Sequence, residues 1–222
     1  MKYTFGLIGT GNMGGAIARA VSRTLKDGIL ADRNGDLAAA LAGELGFQSG
    51  ENQEAAENSR YLFLGVKPHL VGGMLASIRP ALEARAEEPV LVSMAAGLTI
   101  AQIQELAGKH YPVIRIMPNT PVAVGQGVVL YTAGENVTSE QLEGFLHVMG
   151  KAGGLYPIDE TLMDVGASVS GCGPAFVYMV IDAIADGGVA CGLPRPDAVR
   201  YAAPPMLGAA QMVLETGKHP AQ

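Results

Sequence analysis

Residues 1–17 read MKYTFGLIGTGNMGGAI, a short apolar run followed by glycines and then by apolar residues at helical spacing. Gly9, Gly11 and Gly14 form a GxGxxG pattern in the strand–turn–helix context that makes this pattern informative. Gly9 permits a tight turn, Gly11 lets a diphosphate approach the backbone, and Gly14 lets the helix pack close to the strand. The N–H groups that begin the helix would then face a phosphate. The stretch therefore predicts dinucleotide binding, against the alternative of an ordinary glycine-rich turn in an α/β protein.

The composition indicates a globular chain of one large domain or two small ones, with 222 residues of which 49% are hydrophobic and 16% charged. The net charge of −6 and the lack of a basic run argue against a nucleic-acid partner. Cys172 and Cys191 fit a reducing compartment and have no metal-ligand spacing with the histidines. The N-terminus lacks a signal-peptide layout, and no apolar stretch reaches the ~18 residues of a membrane helix. We therefore expect a cytoplasmic protein with no metal and no membrane segment.

The second predicted strand, residues 28–31, ends in three polar residues that bear on cofactor choice. An acidic residue about 20 residues beyond the glycine turn usually accepts hydrogen bonds from the adenine ribose, and Asp32 has that place. Asp32 would bind a free 2′-OH and repel a 2′-phosphate, whereas Arg33 carries a planar donor fork suited to that phosphate. The signal for NAD or NADP is therefore conflicting. The alternative is that Asp32, Arg33 and Asn34 are solvated turn residues.

Three further apolar runs are typical of strands buried on both faces of a parallel sheet. Ligands of such sheets lie beyond the carboxyl ends of the strands, so the residues after each run are expected to line one crevice. Small residues there leave room for a flat ring, and two prolines hold one of the turns rigid. The runs with the residues that follow them are 61–66 with Lys67-Pro68-His69, 89–94 with Ala95-Ala96-Gly97, and 112–117 with Pro118-Asn119-Thr120-Pro121.

The pattern of the chain changes after residue 158. The last strand signal is 153–158, and helical stretches with small side chains then take over. We therefore predict a Rossmann-type dinucleotide-binding domain over residues 1–158 and an all-helical dimerisation and substrate domain over residues 159–222. The helical stretches are 162–169, 174–190 and 196–216.

Residues 174–185 are apolar nearly all round a predicted helix. A helix of that kind is buried, yet a domain as small as 159–222 cannot surround it well alone. We predict that this helix packs against a second subunit. The alternative is that it packs only on the first domain.

These motifs closely resemble one family, the pyrroline-5-carboxylate reductases, and the resemblance covers essentially the whole chain. The proline-bracketed asparagine turn and the SGxGPA stretch are much more specific than GxGxxG. The matching stretches are IGTGNMGGAI at 8–17, LGVKP at 64–68, SMAAG at 93–97, RIMPNTP at 115–121, SGCGPAF at 170–176, ADGGV at 185–189 and GLPR at 192–195.

The resemblance implies reduction of L-1-pyrroline-5-carboxylate to L-proline with NADPH or NADH, the last step of proline biosynthesis. It implies a substrate site shaped by Asn119 and by the stretch Ser170, Gly171, Cys172 and Gly173, and it assigns no catalytic residue. It also implies homodimers with interlocked C-terminal helices, which in the family often form rings of five dimers. The implied cofactor contacts are Ile8, Gly9, Thr10, Gly11, Asn12, Met13, Asp32, Arg33, Asn34, Asn52, Gly65, Val66, Lys67, Pro68, Met94, Ala95 and Ala96.

The chain departs from the family at its end. Members usually continue past the match to His219-Pro220 into a serine–proline–glycine–glycine–threonine loop that contacts the substrate. We therefore expect a C-terminally truncated second domain, and a weakly active or non-catalytic nucleotide-binding form stays open as an alternative. A related β-hydroxyacid dehydrogenase is a third hypothesis. It would need a lysine acid/base in the long helix, and residues 174–190 contain no lysine.

The reaction does not require a strong catalytic acid, because a protonated imine is already electrophilic. The protein's task is orientation and a dry pocket, while the cofactor carries the chemistry. His69 is a candidate proton donor by position, but a lone loop histidine is more often a surface residue. Glu160 and Asp164 are interpreted as residues that begin a helix, where acidic side chains suit the dipole.

Overall fold

The computed structural model describes residues 2–221, and the chain divides into two compact units, Met1–Gly171 and Cys172–Gln222. The predicted fold class is confirmed, since an α/β unit with a Rossmann-type sheet precedes an all-helical unit. The division predicted after residue 158 falls inside the first unit, because the helix at 163–170 packs against the sheet of that unit.

The first unit is built on an eight-stranded sheet with the order β3-β2-β1-β4-β5-β6-β7-β8. Neighbouring strands from β3 to β6 are parallel, β7 is antiparallel to β6, and β8 is parallel to β7. The strands are β1 (Tyr3–Ile8), β2 (Gly28–Ala31), β3 (Gln48–Ser49), β4 (Ser59–Leu64), β5 (Val90–Ser93), β6 (Val113–Pro118), β7 (Gly127–Ala133) and β8 (Gly153–Pro157).

Helices cover both faces of this sheet. Two of them begin with capping boxes, in which a threonine and the glutamine three residues later satisfy each other's backbone N–H groups. The helices are α1 (Asn12–Val21), α2 (Gly35–Leu45), α3 (Asn52–Asn58), α4 (Pro68–Glu83), α5 (Ile100–Ala107), α6 (Ser139–Val148) and α7 (Met163–Ser170), with 3₁₀ turns at Thr120–Val124 and Glu160–Leu162.

The core of the first unit lies in two layers, one on each face of the sheet. Tyr61 and Phe63 of β4 belong to one cluster of buried residues, whereas the alternate residues Leu62 and Leu64 belong to the other. All four are at most 1% exposed. The continuous apolar run at 61–66 is therefore explained by a strand that is buried on both faces.

The antiparallel strand β7 matters for the candidate site. The 3₁₀ turn Thr120–Val124 reverses the chain after β6, so the amino end of β7 meets the carboxyl end of β6, with Pro118 opposite Val129. Pro118, the last residue of β6, is consequently paired with β7 at the edge of the sheet where β1, β4 and β5 also end.

The second unit consists of α8 (Gly173–Ala190) and α9 (Arg195–Thr216). Its own buried cluster consists of three alanines, Ala185, Ala198 and Ala202. The large apolar side chains on these two helices are exposed within the single chain. They include Phe176, Val177, Tyr178, Met179, Val180, Ile184, Val189, Tyr201, Leu207, Met212 and Leu214.

The stretch Glu160–Ala190 is long and apolar enough, by length and composition alone, to cross a membrane. This corrects the expectation that no apolar stretch reaches such a length. The reason is that the apolar residues of α7 and α8 follow one another with no charged residue between Asp164 and Asp182. Such a helix is equally typical of one that another subunit covers.

Candidate active site

The glycine turn after β1 has the geometry that its sequence predicts. Gly9 has a φ of 100°, in the region that favours glycine, and a Cβ there would lie 2.7 Å from backbone atoms of Gly65. A Cβ on Gly14 would lie 1.9 Å from the Gly9 oxygen, so α1 packs directly on the turn. A Cβ on Gly11, by contrast, would have nothing within 4 Å. The turn is therefore closely packed at Gly9 and Gly14 and open to the surroundings at Gly11.

The N-terminus of α1 is suited to an anion. Gly11 is its N-cap, no side chain caps its first N–H groups, and its first turn contains no acidic residue. These N–H groups and the helix dipole together favour a phosphate. The open space at Gly11 lies at the same place, so a diphosphate fits the residues present.

Asp32 is hydrogen-bonded to the glycine turn. Its Oδ2 accepts hydrogen bonds from the N–H and the hydroxyl of Thr10, at 2.7 and 3.1 Å, and its Oδ1 accepts from the N–H of Asn34 at 2.9 Å. Both carboxylate oxygens are thus bonded to the chain itself, whereas the sequence predicted that they would bind a ribose. Arg33, next to it, is exposed. The arrangement favours Arg33 over Asp32 as the residue that faces a bound nucleotide.

Asn52 begins α3, and its side-chain oxygen is buried with no hydrogen-bond partner in the described part of the chain. Buried polar atoms in native proteins nearly always have partners, so an orphaned one needs an explanation. An adenine amino group would supply the missing donor. This observation agrees with the adenine-side contact that the family resemblance implies for Asn52.

The sheet register brings the predicted nicotinamide residues to one edge. Ile8 is opposite Leu64, and Leu64 is opposite Ser93, so β1, β4 and β5 end side by side. Gly65, Val66, Lys67 and Pro68 follow β4, with Lys67 as the exposed N-cap of α4. Met94, Ala95 and Ala96 follow β5, and a Cβ on Gly97 would again have nothing within 4 Å.

Asn119 lies at the end of β6 and is 7% exposed. Its Nδ2 donates to the backbone oxygen of Ser170 at 2.9 Å, and its Oδ1 accepts from the N–H of Val128 at 2.8 Å. Ser170 is the last residue of α7, and its hydroxyl donates to the backbone oxygen of Gly166. The predicted substrate residues Asn119, Ser170 and Gly171 are thus together in the first unit, whereas Cys172 and Gly173 begin the second.

An ion cluster at Arg115 was missed by sequence reasoning. The guanidinium of Arg115, in the middle of β6, lies 3.0 Å from Asp164 and 3.4 Å from Glu160. Glu160 also accepts the N–H of Ile100 and so serves the start of α5. The interpretation of Glu160 and Asp164 as residues that simply begin a helix is therefore incomplete. One signal was present, since Arg115 interrupts an otherwise apolar strand.

A cavity of about 820 Å³ lies at the opposite edge of the sheet. Its lining includes Tyr3, Arg60, Val90 and Pro112, at or next to the amino ends of their strands. The carboxylate of Glu140 pairs with Arg60 there and raises its pKa. None of the predicted cofactor residues lines this cavity. Ligands of parallel sheets lie at the carboxyl edge, and the glycine turn and the orphaned Asn52 oxygen favour that edge here.

Comparisons with known proteins agree with this geometry. Two family models match, one described as pyrroline-5-carboxylate reductase dimerisation over residues 160–222 and one as NADP oxidoreductase coenzyme F420-dependent over residues 4–97. The pyrroline-5-carboxylate reductase of Pisum sativum is 37% identical over 228 residues, covering 100% of this chain and 81% of that protein. The Escherichia coli K12 enzyme of the same name is 36% identical over 225 residues, covering 99% and 82%.

A solved structure shows the same similarity in three dimensions. The crystal structure of Plasmodium falciparum pyrroline carboxylate reductase with NADP bound matches with a TM-score of 0.85 and 28% identity. The match covers 98% of this chain and 81% of that one.

Proposed function

Because this chain belongs to the pyrroline-5-carboxylate reductase family, we propose that it reduces L-1-pyrroline-5-carboxylate to L-proline, with NADPH as the hydride donor. The observation that carries the proposal is the open glycine turn at the start of α1, beside the ends of β4 and β5. The alternatives of a β-hydroxyacid dehydrogenase and of a non-catalytic nucleotide-binding form are not favoured by these matches.

Different residues of the first unit bind different parts of the cofactor. The N–H groups at Gly11 and the residues after it bind the diphosphate, and Asp32 keeps their loop in place through Thr10. Asn52 binds the adenine edge with its orphaned oxygen. Residues 65–68 and 94–96 hold the nicotinamide ring. Bound NADPH supplies the hydride.

The residues of the chain then supply orientation and a dry site. The imine carbon must be held about 3–3.5 Å from the atom that gives the hydride, and a protonated imine needs no strong acid from the protein. Asn119 and the stretch Ser170–Gly173 shape the substrate site.

Arg33 is the proposed contact of the adenosine 2′-phosphate. It is exposed, while the neighbouring Asp32 is bonded to the glycine turn and so is less available to a ribose 2′-OH. Arg33→Ala should weaken NADPH binding about tenfold or more, the value of a charge-assisted hydrogen bond, and leave NADH binding nearly unchanged. Calorimetric titration with both nucleotides measures this difference. Equal loss for both would remove Arg33 from the 2′-phosphate site.

The second unit is proposed to form a homodimer through α8 and α9, with rings of five dimers as the full assembly in the cytoplasm. The dimerisation family model and the exposed apolar side chains of both helices support this. The functional boundary is proposed to lie near residue 158, in agreement with the start of that family model at residue 160. The apolar stretch Glu160–Ala190 is then covered by protein and not by lipid.

Gly11→Asp tests the cofactor site. The carboxylate would occupy the space of the diphosphate, and such like-charge contact should raise the Kd for NADPH roughly 100-fold and abolish turnover. Gly43→Asp is the matched control, because Gly43 is also exposed and its Cβ would also meet nothing within 4 Å. An unchanged NADPH affinity in the Gly11 variant would overturn the glycine-turn assignment. Proline formation by the unaltered chain tests the activity itself.

A further inference from the structure

Strand β6 holds both ends of α7. Arg115, in the middle of the strand, pairs with Asp164 in the first turn of α7, and Asn119, just after the strand, bonds the backbone oxygen of the last residue, Ser170. Both contacts lie within the first unit. The position of Ser170 is therefore set from a rigid element of the sheet and not from the loop that precedes α7.

Both polar atoms of the Asn119 carboxamide are bonded to the protein. The Asn119 oxygen accepts from Val128, its nitrogen donates to Ser170, and the side chain is nearly buried. The backbone of Asn119 is bonded as well, since its N–H donates to Val128 and its oxygen accepts from Val122. Both the oxygen and the nitrogen of the side chain are bonded to the protein and the residue is only 7% exposed, so little of it is accessible to a substrate. Its carboxamide joins β7 to the end of α7.

We propose that Asn119 is a positioning residue for the imine substrate, which acts by holding the backbone of Ser170–Gly171 and makes no contact with the substrate itself. The inference rests on the proposed reduction of pyrroline-5-carboxylate. It changes the role that the family resemblance suggested, which was a direct part in shaping the site.

The chemistry of the contact explains why an amide is needed. Asparagine supplies an acceptor for Val128 and a donor for Ser170 at once. An aspartate would keep the acceptor but place a carboxylate oxygen against the Ser170 carbonyl, where no hydrogen remains to share. A protonated aspartic acid would restore the donor. Burial beside a carbonyl favours that neutral form, so the lost contact should return as the pH falls.

The first experiment compares Asn119→Asp with the unaltered enzyme from about pH 5 to about pH 8. This range is chosen because burial should raise the pKa of the new carboxyl group. At the upper end the KM for pyrroline-5-carboxylate should be roughly tenfold higher in the variant, as for one lost hydrogen bond beside a charge. The Kd for NADPH should stay within about twofold, because the cofactor contacts are unaltered. The ratio of variant to unaltered KM should fall as the pH falls. A flat ratio near one, or an equal loss of NADPH affinity, would overturn the inference.

Asn58→Asp is the matched control. Asn58 is partly buried, whereas Asn119 is buried, and like Asn119 it donates to a backbone oxygen, that of Glu54, at the end of α3. The same change of charge there should lower thermal stability without changing the KM for the imine. A comparable rise in KM in this control would show that general loosening of the fold, and not the Ser170 contact, explains the result.

A second variant covers the case in which Asn119→Asp does not fold. Asn119→Ser adds no charge and cannot reach Ser170, so the KM for the imine should rise at every pH without the recovery at low pH. Hydrogen exchange in the enzyme without ligands should be faster at residues 168–171 in this variant. Direct binding of substrate by Asn119 predicts no such change before substrate is added, and unchanged exchange would overturn the proposal. Absence of proline formation by the unaltered chain would instead contradict the proposed function.

Discussion

In the first unit, Phe5, Phe63 and Phe145 are fully buried, with ring centroids 5.0 Å apart for Phe5 and Phe63 and 6.4 Å for Phe63 and Phe145. In the second unit, Phe176 and Tyr178 are 65% and 59% exposed. The two units have similarly apolar sequences, but only the first encloses its large side chains. The second has two helices, which leave most of each other's surface uncovered.

This difference in the burial of large side chains indicates where each unit obtains its stability. Burial of a large apolar side chain contributes about 1.5–3 kcal/mol, and the first unit gains this within one chain. Contiguous exposed apolar surface on a protein marks an interaction site. For α8 and α9, the match to the dimerisation family model supports an interaction with another copy. The first unit should therefore respond to packing changes inside one chain, and the second to changes at its surface.

The largest effect should come from placing a charge on the second unit's surface. Leu207→Glu on α9 and Met179→Glu on α8 alter side chains that are 65% and 69% exposed in the single chain. If another copy covers them, an unpaired buried charge costs about 3–5 kcal/mol and occurs once in each subunit. We expect loss of the dimer, measured by light scattering after gel filtration.

Leu37→Glu on α2 provides the control for that experiment. Leu37 is 55% exposed, but it belongs to the first unit, so the same substitution should leave the oligomeric state unchanged. Dimers that persist in both second-unit variants would contradict the comparison. Sedimentation of the unaltered protein with lipid vesicles would instead show that the apolar stretch faces a membrane.

The next effect tests close packing inside the first unit. Gly14→Ala places a methyl group 1.9 Å from the backbone oxygen of Gly9, which cannot move aside as a side chain can. We expect a loss of about 3 kcal/mol in the free energy of unfolding, measured with urea. Gly15→Ala is the neighbouring control, because its nearest contact is an ordinary 3.5 Å and alanine favours a helix by about 0.5–1 kcal/mol. Equal stability of the two variants would show that the turn and α1 are not tightly packed.

A smaller effect concerns the ion cluster. Arg115→Met should lower the free energy of unfolding by about 1–2 kcal/mol, since charge-assisted hydrogen bonds are lost but Glu160 and Asp164 can turn to water. Arg115→Lys keeps the charge and should recover only part, because a lysine cannot bond both carboxylates with a planar fork. Full recovery by lysine would show that charge alone holds α7 to the sheet.

Much of this fold could be predicted from the sequence because its signals are local. The run 61–66 is apolar throughout, which indicates a strand buried on both faces, and the residues after it reach the carboxyl edge for that reason alone. The glycine turn is local in part, since Gly14 meets the Gly9 oxygen within the same turn, whereas the contact of Gly9 with Gly65 joins two strands that are distant in sequence.

The parts that could not be predicted depend on pairings between distant residues. Arg115 meets Glu160 and Asp164 across 45 and 49 positions of sequence, and no periodicity marks such a pair. Asp32 was assigned to a ribose by spacing, and its contact with Thr10, which lies 22 positions away, was not foreseen. The same limit applies to Asn119, whose contact with Ser170 spans 51 positions. The position of a residue in a motif indicates that it belongs to a functional region, but it does not indicate which residues it contacts.

The smallest effect concerns Asp159, at the turn that leads into α7. The N–H and hydroxyl of Thr161 donate to its carboxylate and hold the pKa of Asp159 below its usual value. A carboxylate with a lowered pKa in the folded state stabilises the fold at neutral pH, and this contribution is lost as the pH falls through the folded pKa. Asp159→Asn should therefore have a slightly lower Tm than the unaltered protein near pH 7, and the two should converge in strong acid. Because Asp159 precedes the residues 160–222 that match the dimerisation family model, the dimer should be unaffected. A Tm difference that is constant with pH would show that the hydrogen bonds of this turn do not depend on charge, and dissociation of the dimer would show that the junction is part of the interface.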